Sequence, residues 1–299
     1  MLYYIYIKSI KEEQLVINIK EFRVDKIILL ITIIRRMKLP QYEKNPKFSK
    51  IFQVANCFTN HPDLYKTITT DSTLINDLSP ILQKDSFQNI YKDALSYKDE
   101  VVKRWEKLEP AIRNYYANIL GLRAEKDIIA NIVNPQFNTG TNDMKNEIFY
   151  AHIYGEKDIS YDATYMMHES LHCLFPRTKE WTDEQYSINH SLIELAIDNE
   201  LRARLGGNNN NYTEGHRDAK KIRNALMPLW VTFLSTKGGI SGYNIPNDKT
   251  FKKYMNIAQN NNVQNMNFEE LMKYSIEHYK EYGLTENTFN LKRKESYGE

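Results

Sequence analysis

His168, Glu169 and His172 stand in the order H-E-x-x-H within Met166-Met167-His168-Glu169-Ser170-Leu171-His172. In a helix, residues four apart lie one above the other on the same face. The two imidazoles then converge on one point, as a divalent metal ion requires. Glu169 lies beside that point, placed to take a proton from an attacking water. The blander account is a helix carrying two surface histidines, since the bare motif arises by chance in roughly one in a hundred chains of this size.

The flanking residues favour the chemistry. Asp158-Ile-Ser160-Tyr-Asp162 offers an N-cap and a first-turn acid, and Pro176 stops the segment, so the motif falls in mid-helix. Ala163, Met167, Leu171 and Leu174 form one apolar stripe at helical spacing, and Tyr161, Tyr165, His168 and His172 form an adjacent face. One side can enter a core while the other lines a cleft.

A metal needs a third ligand. An H-E-x-x-H-x-x-G-x-x-H extension is absent, because Phe175 and Thr178 occupy its Gly and last His positions. The next candidate segment is 187–200, where Glu194 and Asp198 are four apart on one face and Glu194 lies 22 residues beyond His172. Here the chain resembles the gluzincins, the thermolysin-like clan of zinc peptidases, over about residues 145–205. The resemblance implies a zinc ion held by His168, His172 and Glu194, with Asp198 hydrogen-bonded to a zinc histidine. His190, one turn before Glu194, is the chemical rival as ligand. Glu200 is turned about 120° off that face. The start of this second helix is open between Thr182, which heads a capping box with Gln185, and Ser187.

The elements that must position these residues are spread through 299 residues, enough for one large domain or two ordinary ones, with 41% apolar content. The net charge of +2 conceals a basic start: residues 1–50 carry 11 Lys and Arg against 5 Asp and Glu. A solvated surface accounts for that excess, and no basic patch with interleaved aromatics suggests nucleic acid. Two cysteines, Cys57 and Cys173, make no disulfide scaffold, and Cys173 turns about 100° from His172, as packing. No secretory leader pattern heads the chain, so a cytoplasmic location is expected. The apolar run Ile27–Ile34 is too short for a bilayer, which needs about twenty residues, and reads as a buried helix or strand.

Leu2–Lys8 and Leu15–Lys20 read as two short strands, and Phe22–Gly121 as helical. Tyr91–Leu120 is the clearest helix there, interrupted at Pro110. Asp127–Asn134 and Glu147–Tyr154 read as strands separated by a polar loop. By the resemblance, Phe149–Ile153 is the sheet edge along which a peptide lies. Gly206 suits a left-handed C-cap before the asparagine loop. Residues 217–236 and 268–282 read as further helices, and the glycine-containing stretch 235–248 as a connector without phosphate-loop spacing.

The expected architecture is α+β and mostly helical. Residues 1–121 form a helical N-terminal region with a short β-hairpin, and residues 122–299 a zincin-like catalytic domain with a small sheet and the H-E-x-x-H helix. The expected activity is zinc-dependent hydrolysis of a peptide or protein substrate, with Glu169 as general base. The resemblance implies a downstream Tyr or His to stabilise the oxyanion, here His216, with Tyr212 and Tyr243 as rivals. The alternative is a non-catalytic interaction protein with a structural zinc site, in which Glu169 would have no task.

Overall fold

Asn18–Arg23 forms strand β1, and Asp25 caps the helix that follows, α1 (Lys26–Met37), its carboxylate accepting from the Ile27 and Ile28 amides at 2.8 and 2.9 Å. The computed structural model describes residues 18–37, 76, 79–122, 126–135, 139–142, 147–151, 158–177, 180–206, 215–216, 219–239, 246, 248–285 and 288–289. Ile28, Leu29, Leu30 and Ile33 of α1 are buried, so the apolar run expected as a helix or strand is a core helix. The proposed strand Leu2–Lys8 lies outside the described residues.

The next long element is α2 (Asp85–Asn114), which continues as a π-helical turn, Tyr115–Ile119. Pro110 was expected to interrupt this helix and does not. The local cost, about 3 kcal/mol, is outweighed by burial of Trp105, Ile112, Tyr115 and Tyr116 on either side of it.

Asp127–Ile132 (β2), Thr139–Asn142 (β3) and Glu147–Ala151 (β4) complete a four-stranded sheet in the order β1-β2-β4-β3. β1 and β4 both run parallel to β2, and β3 runs antiparallel to β4. β2 is central and apolar on both faces, as strands covered on both sides are. Arg23 crosses the sheet, donating to Asn131 at 2.7 Å and to Glu147 at 2.9 Å.

Two expectations change here. Among the described strands β4 is internal and β1 and β3 are the outer ones, so the edge expected at Phe149–Ile153 is not formed by the strand that holds Phe149. β3 was expected as loop, because Thr-Gly-Thr-Asn has weak strand character and only pairing with β4 makes it a strand. Strand β1 joins the sheet from the N-terminal region, and the buried apolar residues from Ile19 to Phe289 form one cluster. The described residues on either side of the boundary at 121/122 thus share a sheet and a core.

The motif helix is α3 (Ile159–Leu174), capped by Asp158 and ended before Pro176, as the sequence predicts. α4 (Asp183–Ile193) starts at Thr182 with a full capping box to Gln185, which settles its start against Ser187. α4 runs into a π-helical segment, Glu194–Leu201, then Arg202–Arg204, and the chain leaves through Gly206 at φ +82°. α5 (Lys220–Leu234, with Pro228 inside), α6 (Lys249–Asn260) and α7 (Phe268–His278) complete the helical layer.

Asp162 is more than the first-turn acid the sequence suggests. It is fully buried and bonds Arg104 of α2 and the Tyr150 hydroxyl of β4, tying α3 to both. Burial pushes its carboxyl above the usual range, against the pull of Tyr150 and Arg104. Asp162→Ala leaves the largely buried Arg104 only the exposed Glu100, 3.6 Å away, and is expected to cost about 3 kcal/mol in chemical denaturation. A loss below about 1 kcal/mol would show that the pair does not hold α3.

Candidate metal centre

α3 brings His168 and His172 together as its periodicity requires. Their Nε2 atoms are 3.1 Å apart, and both rings are buried. Asp198 fixes the first ring: its carboxylate lies 2.8 Å from His168 Nδ1 and accepts that N–H, which turns Nε2 to the shared point. Burial lowers the His168 pKa, but the Asp198, Glu169 and Glu194 carboxylates outweigh it and push it up to about 9. His172 goes the other way, lowered by burial and by the neighbouring His190, His168 and His216.

The third member of this group is His190, on the face of α4 that meets α3. Its ring centroid is 5.3 Å from that of His168 and 4.9 Å from that of His172. One ligand atom from each of His168, His172 and His190 lies within 4.8 Å of the others. Glu194 forms a different group, with His190 and His216. Glu194 therefore falls outside the close group of His168 and His172, the two ligands expected beside it, although its charge still reaches His168.

The physical reason is a partner the sequence reading gave no role. Arg223 of α5, itself buried, donates through Nη1 to one oxygen of the fully buried Glu194, and the other oxygen accepts the His216 amide at 2.7 Å. A carboxylate gripped at both oxygens, one of them by a guanidinium, is a poor competitor for a metal. Arg223 is 29 residues from Glu194 and belongs to no motif, so no spacing signal pointed to it.

Tyr115 and Tyr116, in the first π-helical turn, brace both ligand-bearing helices from behind. Tyr115 donates to the Ala196 carbonyl at 2.7 Å, and Tyr116 to the Met167 carbonyl at 3.3 Å. π-helical turns recur at functional sites. Tyr186, one turn before His190, packs on the other side, 5.9 Å from the His190 ring and 6.5 Å from that of His172. Its helical register with His190 was the available signal.

A cleft of about 190 Å³ opens beside the histidines, lined by Tyr161, Tyr165, His168, Glu169, Asp198 and His216 among others. The tyrosine face of α3 expected to line a cleft does so. Glu169 is largely buried at its wall. His216 arrives from between α4 and α5 and is exposed, its ring 5.1 Å from that of His190. Tyr212 and Tyr243 lie outside the described residues. Glu200 is buried against Arg204 at 2.6 Å, and Cys173 is packed in the core. Neither stands in a ligand group.

The donor set suits a zinc-like cation. Tetrahedral Zn–N bonds of about 2.0–2.1 Å set ligand nitrogens about 3.3 Å apart, close to the 3.1 Å between the two Nε2 atoms. Two imidazole nitrogens facing each other at that distance need a shared cation or proton between them.

Comparison of the chain with protein-family models, with curated proteins and with solved structures finds no match. Among the described residues, no helix is long and apolar enough to cross a membrane.

Proposed function

We propose that the chain is a zinc-dependent peptidase with a zincin-like arrangement, in which His168, His172 and His190 hold the metal and Glu169 is the general base. The observation that carries this reading is the convergence of three imidazoles, one of which, His168, shares the wall of a cleft with Glu169. A zinc ion held by His168, His172 and His190 would supply the Lewis acidity that lowers the pKa of water from about 15.7 towards 7.

Glu169 accepts the proton of the attacking water and returns it to the leaving nitrogen. Asp198 keeps the His168 ring in the tautomer and orientation that aim Nε2 inward. His216 faces the cleft and donates to the developing oxyanion. The peptide lies extended against β3, the outer strand among those described, and adds a strand to the sheet.

The test is a mixture of unstructured peptides incubated with the zinc-loaded chain and followed by mass spectrometry. New termini that a chelator suppresses are expected. Intact peptides alongside tight zinc uptake would favour the structural-site alternative.

A further inference from the structure

The buried ion pair of Glu194 and Arg223 also grips another part of the site. We infer that Glu194 and Arg223 form a clamp that seats Gly215 and His216 at the metal centre, which makes both positioning residues for His216. The geometry is independent of the function proposed above, and only its catalytic meaning rests on that reading.

The clamp holds both backbone polar groups of a single residue. Glu194 Oε1 accepts the His216 amide at 2.7 Å, while Arg223 Nη1 donates both to Glu194 Oε2 and, at 2.9 Å, to the His216 carbonyl. The His190 Nε2 atom lies 3.3 Å from that same Glu194 Oε1, so one carboxylate oxygen adjoins the metal group and the His216 backbone together. A salt bridge serving stability alone has no need of a backbone held at both ends.

Gly215 supports the same conclusion. Its φ is +66°, and a Cβ there would lie 2.5 Å from Glu194 Cδ and 2.8 Å from Arg223 Nη1. Only glycine permits this approach of the backbone to the ion pair. His216 thereby keeps a fixed place 5.1 Å from the His190 ring, although it stands outside any helix or strand.

The experiment uses the full chain without metal first, reading the histidine C2 proton resonances, of which there are seven. His216→Ala assigns the resonance of His216. Gly215→Ala and Arg223→Lys, each checked for folding, are expected to move it while leaving that of His278, on α7, in place. Gly215→Ala alters no ligand and no charge, and Arg223→Lys keeps the charge while losing the fork, so one serves if the other fails to fold. An unmoved His216 resonance overturns the clamp whatever the metal does.

With zinc and a cleavable peptide, Arg223→Lys is expected to lower kcat about 10-fold and to lower it no further in a His216→Ala background. Losses that multiply would show that Arg223 does not act through His216. If the resonance moves but nothing is cleaved, the clamp stands and the peptidase reading falls.

Discussion

Glu169→Gln is expected to keep the metal and lose the reaction, with kcat down by about 10²- to 10⁴-fold. The amide has the shape of the carboxylate but cannot accept the proton of the attacking water. Glu169 is not in either ligand group, so zinc content should match the parent. The change must also leave the fold intact, because Glu169 faces the cleft rather than the core. Unaltered cleavage by the variant would remove Glu169 from the mechanism. Loss of zinc along with activity would make it a ligand instead.

His190→Ala carries the second large effect. It removes one imidazole of three, and the remaining pair should release zinc readily to a chelator. Asp198→Ala should weaken binding by about 10- to 100-fold, since His168 loses the carboxylate that orients it. Glu194→Gln, whose carbonyl still accepts from Arg223 while its NH2 meets the His216 N–H, disturbs no proposed ligand and should stay within about 10-fold of the parent. The expected order of retention under a chelator titration is parent, Glu194→Gln, Asp198→Ala, His190→Ala. Stripping of the metal by Glu194→Gln, with retention by His190→Ala, would restore the ligand set that the gluzincin resemblance implies.

Much of this site could be read from spacing alone. His168 and His172 meet because four residues make about one helical turn, and Asp158, Pro176 and Gly206 mark ends that local backbone chemistry fixes. Asp198 reaches His168 as the resemblance implied. Choosing between His190 and Glu194 needed Arg223, whose approach is a matter of how α5 packs on α4 and appears in no local pattern. The π-helical register after Ile193 is equally hidden, since it is stabilised by tertiary contacts such as Tyr115 to Ala196.

In the sheet, β2 and β4 announce themselves through β-branched and apolar residues. β3 does not, because pairing and not composition makes it a strand. The edge was therefore assigned one strand too far inward. Pro110 misled in the opposite sense, since a strong local signal was overruled by the packing of the helix around it.

The most direct test of the central claim is anomalous diffraction at the zinc edge from crystals of the zinc-loaded chain. The account predicts one peak, bonded to His168, His172 and His190, with Glu169 beside it and unbonded, and Glu194 still held by Arg223. A peak bonded to Glu194 in place of His190, or no peak at the two motif histidines, would contradict it.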